Sequence, residues 1–139
     1  MKVVWTNGCF DILHRGHIEL FKYAKSLGDL LLVGIDSDEK VKSDKGESRP
    51  INTSDDRKFM LESLKYIDKV HVFDSRQNLE NLIKNIKPDI MVIGSDWKDK
   101  HVVGQEYARQ LVFFDRIENY STTNIIEVNK NGNTGTENN

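Results

Sequence analysis

Cysteine is almost missing from this chain of 139 residues: Cys9 stands alone, so no internal disulfide framework can form, and a reducing compartment such as the cytoplasm is expected. Net charge is nearly missing too. Lys and Arg number 20 against 22 Asp and Glu, a formal balance of −2, so no broad field exists to gather nucleic acid or an anionic membrane, and any phosphate affinity must be local. No apolar run approaches the roughly 18 residues that span a bilayer. Met1-Lys2 leads straight into a short apolar run, so neither an export signal nor a membrane span is expected. No His/Cys/Asp cluster has zinc-ligand spacing, which argues against a transition metal held by protein side chains. No internal repeat is visible, and the length suits one domain with a real core.

What is present is an alternation of strand and helix patterns. Val3, Val4, Trp5 and Thr6 are β-prone, Asn7-Gly8 breaks the run, and Ile18, Leu20, Phe21, Tyr23, Ala24 and Leu27 recur at helical spacing. Gly28-Asp29 ends that helix. Leu30 to Ile35 is an uninterrupted apolar run, the pattern of a strand buried on both faces of a parallel sheet. Residues 36–53 carry Lys40, Lys42, Lys45, Gly46, Arg49 and Pro50 and are expected to form a mobile basic loop. Thr53 or Ser54 caps a helix through Leu64, with Phe59, Met60, Leu61 and Leu64 inward. Val70, Val72 and Phe73 make a third strand, and Leu79, Leu82, Ile83 and Ile86 mark another helix. Pro88-Asp89 turns into a strand from Ile90 to Ile93, and Leu111 to Phe114 is the expected fifth strand. The alternation predicts an α/β fold: a doubly wound, Rossmann-like parallel sheet of about five strands, with helices on both faces and a ligand crevice at the carboxyl ends of the strands. This domain is expected to occupy residues 1–128. From Asn129 to Asn139 no apolar residue offsets the entropy of ordering, so a disordered polar tail is expected.

The densest chemistry lies at residues 6–17, Thr-Asn-Gly-Cys-Phe-Asp-Ile-Leu-His-Arg-Gly-His. His14 and His17 sit three apart at the mouth of the first helix, beside free backbone N–H groups and the positive end of the helix dipole. Imidazole donors there can follow charge as it develops on phosphate oxygens, which points to phosphoryl or nucleotidyl transfer. Gly8 and Gly16 lack a Cβ and let a phosphate approach the backbone; simple turn positions would explain them as well. The pattern Gly8-x-Phe10-Asp11-x-x-His14-x-Gly16-His17 resembles the signature of the cytidylyltransferase-like nucleotidyltransferases. The resemblance covers about residues 3–127 and reaches two kinds of member: small enzymes that activate glycerol 3-phosphate with CTP, and the adenylyltransferase domain that activates heptose 1-phosphate with ATP.

The resemblance implies roles for particular residues. His14 and His17 would contact the triphosphate and stabilise the transition state as the acceptor phosphate attacks the α-phosphorus and pyrophosphate leaves. Gly8, Cys9, Phe10, Asp11 and Gly16 would line the nucleotide, with a second reading for Asp11 in which it orients a histidine or the loop. Arg116 and Ser121-Thr122-Thr123 match a family segment that lines the nucleotide, although Asn119 stands where glycine is usual. On the residues alone, Ser121 to Thr123 cap a short helix from Asn124 to Val128, and the Arg116 guanidinium suits bidentate phosphate binding. Lys42 and Lys45 would reach the triphosphate or the acceptor phosphate, Lys42 joining His14, His17 and Arg116 as catalytic; as lysines in a polar segment they read equally as solvated surface. Gly94-Ser95-Asp96-Trp97 follows a buried strand at the crevice edge, where Asp96 can accept from the exocyclic amine of cytosine or adenine with Trp97 beside it. Arg57 either anchors its helix or binds the acceptor. Cys9 reads as a packed small residue, because in-line displacement needs no covalent intermediate.

Magnesium is expected to arrive on the triphosphate, held by phosphates and water. Residues 6–14, 45–52 and 121–126 resemble the heptose adenylyltransferase, whereas Asp96-Trp97-x-x-Lys100 and the Arg116 segment resemble the glycerol 3-phosphate cytidylyltransferase. Because the latter two belong to the nucleotide pocket, CTP is the favoured donor. The expected activity is transfer of a nucleoside monophosphate to the phosphate of a small polyol or sugar. ATP with D-glycero-β-D-manno-heptose 1-phosphate is the alternative, and a non-catalytic nucleotide-binding domain is a further one. No nucleic acid or membrane partner is expected, and the resemblance implies a homodimer.

Overall fold

The first apolar run and the helical stripe after it form as expected. Strand β1 (Val3–Gly8) leads to helix α1 (Arg15–Ser26), and β2 (Leu30–Asp36) returns parallel beside β1, with Val3 opposite Leu30 and Gly8 opposite Ile35. Then come α2 (Asp38–Lys45), α3 (Ser54–Glu62), β3 (Lys69–Phe73), α4 (Arg76–Ile86), β4 (Ile90–Gly94) and β5 (Gln110–Phe114). The computed structural model describes residues 1–115, which hold one five-stranded sheet in the order β3-β2-β1-β4-β5 with every pairing parallel. The chain steps outward from β1 to β3, then crosses back to β4 on the other side of β1. That reversal places the topological switch between β1 and β4, where such sheets open a crevice at their carboxyl ends.

Alternation along the strands explains the two-sided core. Val4, Leu31, Val33, Ile35 and Val92 face a cluster with Phe21 and Ala24 of α1 and Leu61 of α3. Trp5, Met91 and Ile93 face the other way, against Leu79 and Ile83 of α4. The predicted doubly wound α/β architecture is therefore present, with helices on both faces. Among the described residues no helix is long and apolar enough to cross a membrane.

Two local expectations are corrected. The segment expected as a mobile basic loop contains α2, an eight-residue helix. Its charges stabilise it: the Ser37 hydroxyl caps the Lys40 N–H, Asp38 and Glu39 occupy the first turn, Lys42 and Lys45 the last, and Val41 is buried. Lys40 pairs with Asp44 at 2.8 Å and Asp36 at 3.4 Å, both at i,i+4 spacing. Phe59, expected inward, is 73% exposed, because the inner face of α3 is taken by Arg57 and Leu61 one turn apart. Val72 is half-exposed because β3 is an edge strand.

Candidate active site

The turn after β1 is shaped by Phe10, whose φ of +50° lies in the left-handed region. That conformation costs an L-residue about 1–2 kcal/mol. Ring packing offsets it: Phe10 meets His17 edge-on at 5.2 Å and Phe21 at 5.0 Å. A Cβ on Gly8 would stand 3.0 Å from the Phe10 ring, so Gly8 first makes room for that ring. The close-approach reason for glycine at this position is thus internal packing.

His14 is the N-cap of α1, with extended backbone at φ −142° and ψ 175°. Its Nδ1 accepts from the Gly16 N–H at 3.1 Å, while the His17 Nδ1 accepts from the His14 N–H at 3.3 Å. The result is a capping box built from two imidazoles, with rings stacked 3.7 Å apart at 23°. With both Nδ1 atoms accepting, each neutral ring carries its proton on Nε2, an N–H donor that in His14 is buried. Capping and phosphate binding are therefore compatible uses of one side chain, because they employ different ring nitrogens.

Asp11 is fully buried, and its carboxylate is filled by the chain 40 residues on. It accepts from the Arg49 Nε at 3.1 Å, the Ile51 N–H at 2.8 Å and the Asn52 N–H at 2.8 Å, and the Asp11 carbonyl accepts from the Asn52 amide at 2.6 Å. The structure assigns Asp11 the loop-holding role. Arg57 is likewise placed in its anchoring role, not on an acceptor: it is 0% exposed. Its Nε donates to the Asn52 carbonyl at 3.0 Å, Nη1 to the Cys9 carbonyl at 3.0 Å and Nη2 to the Asp38 carboxylate at 2.9 Å. The same Asp38 oxygen accepts the Ser54 N–H that opens α3. Asp11 and Arg57 together tie the signature loop, α2 and α3 into one scaffold.

A cavity of about 740 Å3 opens at the carboxyl ends of the strands, lined on its floor by Gly8, Cys9, Phe10, Asp11, His14, Gly16 and His17. Asp96 and Trp97, in a single 3-10 turn after β4, close one side, with Trp97 44% exposed and the Lys100 ammonium 5.3 Å over its ring. Lys45 reaches the cavity, whereas Lys42 is exposed and absent from its lining. The helical register of α2 separates the two lysines, which the loop reading could not do. Burial pushes the Cys9 thiol up, against the lowering influence of Lys45 and Arg57, so it is a poor nucleophile at neutral pH. Arg116, Ser121, Thr122 and Thr123 lie outside the described residues.

Four charged lining residues were not read as site residues from the sequence: Asp36, Lys40, Arg49 and Arg76. Asp36 ends β2 and Arg76 follows β3 by three residues, so both occupy the strand-end positions where an α/β crevice forms; sheet order was the missing signal. Arg49 keeps Nε on Asp11, and its Nη2 is buried with no hydrogen-bond partner among the described residues. A buried guanidinium so placed at a cavity wall is suited to complete its bonding with an oxyanion.

Residues 5–128 match the family model described as cytidylyltransferase-like. The chain belongs to this family of nucleotidyltransferases. It is 52% identical over 126 residues to the bifunctional protein HldE of Campylobacter concisus, and equally to that of Helicobacter hepaticus, covering 91% of this chain and 26% of each relative. The chain thus spans about a quarter of the length of these curated relatives. Among solved structures, a lipopolysaccharide core biosynthesis protein from Thermoplasma volcanium superposes with a TM-score of 0.65 at 29% identity, covering 87% of this chain and 99% of that one. A pantoate-beta-alanine ligase from Francisella tularensis, at 17% identity and a TM-score of 0.61, with 93% of this chain and 69% of that one covered, shares the fold.

Proposed function

We propose that this cytidylyltransferase-like chain transfers the adenylyl group of ATP to the phosphate of heptose 1-phosphate and releases pyrophosphate. The CTP reading taken from Asp96-Trp97 and the Arg116 segment is set aside, because the relatives near 50% identity are HldE proteins and favour the heptose adenylyltransferase alternative. The Asp11 clamp agrees with the choice. Residues 45–52, the segment resembling the heptose enzyme, are bonded through Arg49, Ile51 and Asn52 to the signature loop itself, so the segment belongs to the site.

In this mechanism the acceptor phosphate oxygen attacks the α-phosphorus in line, the new P–O bond forms as the α–β bridge bond breaks, and pyrophosphate carries away the charge. The Nε2–H groups of His14 and His17 and the N-terminus of α1 donate to the phosphate oxygens as that charge shifts. Lys45 and Arg49 add cationic donors at the wall. Magnesium would be carried by the triphosphate: Asp11 is already saturated, and among the described residues no group of three His, Cys, Asp or Glu side chains could hold a metal ion. Residues 1–128 as the catalytic domain, Arg116 and Ser121 to Thr123 at the nucleotide, a homodimer and a cytoplasmic setting complete the proposal.

The test is pyrophosphate release with magnesium, crossing ATP and CTP with heptose 1-phosphate and glycerol 3-phosphate, beside a His17→Ala variant. Turnover is expected with ATP and heptose 1-phosphate. Turnover confined to CTP would restore the cytidylyl reading, and release no greater than that of His17→Ala under every pairing would leave a non-catalytic nucleotide-binding domain.

A further inference from the structure

The cavity lining draws on strand ends from both sides of β1. Asp96 and Trp97 lie beyond the end of β4, on one side of the signature loop. Asp36 lies at the end of β2, on the other side of β1, with Lys40, Phe73, Arg76 and Leu79 around the same end of the cavity. Adjacent strands stand about 4.8 Å apart, so the β4 and β2 ends flank the end of β1, from which the signature loop departs, by about one strand spacing on each side. A reacting phosphorus over His14 and His17 would therefore have the nucleoside on the β4 side and the acceptor on the β2 side.

Asp36 is unusual for that place. A site that gathers a triphosphate and a phosphate monoester repels a carboxylate, yet Asp36 keeps 16% of its side chain exposed at the cavity. Its ion-pair partner among the described residues is Lys40, 3.4 Å away, and that ammonium is held closer, at 2.8 Å, by Asp44 and lies 5.9 Å over the Phe73 ring. Asp36 is thus only partly neutralised. Burial pushes its carboxyl up, with Lys40 acting in the opposite direction. The portion of a ligand that meets a half-compensated carboxylate is not anionic and offers hydrogen-bond donors, and Phe73 and Leu79 beside it present an apolar surface to C–H bonds. Hydroxyl groups on a sugar carbon chain satisfy both requirements.

We propose that Asp36, oriented by Lys40, is an acceptor-specificity residue whose carboxylate accepts hydrogen bonds from hydroxyl groups of the phosphorylated sugar. The inference rests on the transferase reading of the same site and adds to it what selects the acceptor. Charge-assisted bonds of this kind are worth about 10- to 100-fold in affinity. Steady-state kinetics of Asp36→Leu and Asp36→Asn, varying heptose 1-phosphate at saturating ATP and ATP at saturating acceptor, test it. The acceptor KM is expected to rise at least about tenfold in Asp36→Leu and less in Asp36→Asn, which keeps one acceptor oxygen, while the KM for ATP moves less than about twofold. In a series of monodeoxy acceptors, the penalty that the wild type shows for one missing hydroxyl should shrink towards unity in Asp36→Leu.

A rise confined to the KM for ATP, or an increased magnesium requirement, would overturn the proposal in favour of a metal or nucleotide contact. An unchanged acceptor KM in an Asp36→Asn variant with a wild-type urea midpoint would also overturn it. Wild-type protein inert towards every phosphorylated sugar would instead sink the transferase reading beneath it, which keeps the two failures apart.

Discussion

Replacing His14 by asparagine and by alanine separates its two roles at α1. The cap is one hydrogen bond, from the Gly16 N–H to the His14 Nδ1 at 3.1 Å. Losing such a cap costs about 0.5–2 kcal/mol, a shift of several degrees in Tm for a domain of this size. Loss of a preorganised transition-state donor costs about 10²- to 10³-fold in kcat, or about 2.7–4 kcal/mol. Asparagine is among the strongest N-cap residues and restores the acceptor, but it cannot place an imidazole Nε2–H over the cavity floor. His14→Asn should therefore melt within about 1 °C of wild type while kcat falls about 10²- to 10³-fold. His14→Ala should show the same kcat loss and, in addition, the missing cap. Thermal melts by circular dichroism and pyrophosphate release on the same preparations supply both readings. If His14→Asn kept more than about a tenth of wild-type kcat, the donor role would be refuted, and His14 would be a capping residue alone.

Asp11→Asn removes the charge from a buried ion pair and sets an amide N–H against donors, so unfolding in urea should register a loss of about 3–5 kcal/mol; a loss below about 1 kcal/mol would contradict the clamp. Lys45→Ala should lower kcat/KM at least about tenfold, whereas Lys42→Ala, on the exposed side of α2, should stay within about twofold of wild type; the reverse order would show that α2 is remodelled in the working enzyme. Burial alone would raise the Asp68 carboxyl, but the Lys25 ammonium and the Leu31 N–H that donate to it outweigh burial and hold it below its ordinary value of 3.8. A depressed folded-state value means stability that is complete above the ordinary value and lost as pH falls through the folded one. Asp68→Asn should therefore flatten the acid limb of the Tm profile below about pH 4 and leave its slope at pH 6–8 unchanged. An acid limb identical to that of wild type would remove Asp68 from the account.

The parts of the site that were legible in the sequence are the contiguous ones. Gly8 to His17 forms a strand end, a turn and a helix mouth within ten residues, and each feature follows from local propensity. The sheet was legible for the same reason, since β2 and β4 are unbroken apolar runs. Helix α2 was not, because its charges were counted as breakers; their order along the chain, acids first and bases last behind Ser37, carried the helix signal. Arg57 shows a different limit. Its partners Cys9 and Asp38 are 48 and 19 residues away, and no periodicity distinguishes a buried arginine with three acceptors from a solvated one.

A motif match also cannot separate residues that touch a ligand from those that hold them in place, since both are required for the same geometry. Asp11 lies within the signature, yet its carboxylate is occupied by Arg49, Ile51 and Asn52. Asp36 lies outside it and faces the cavity, with Lys40, shared with Asp44, as its ion-pair partner among the described residues. Counting the bonds each carboxylate already makes separates the two: the acid inside the signature holds the scaffold, and the acid outside it keeps acceptor capacity at the cavity.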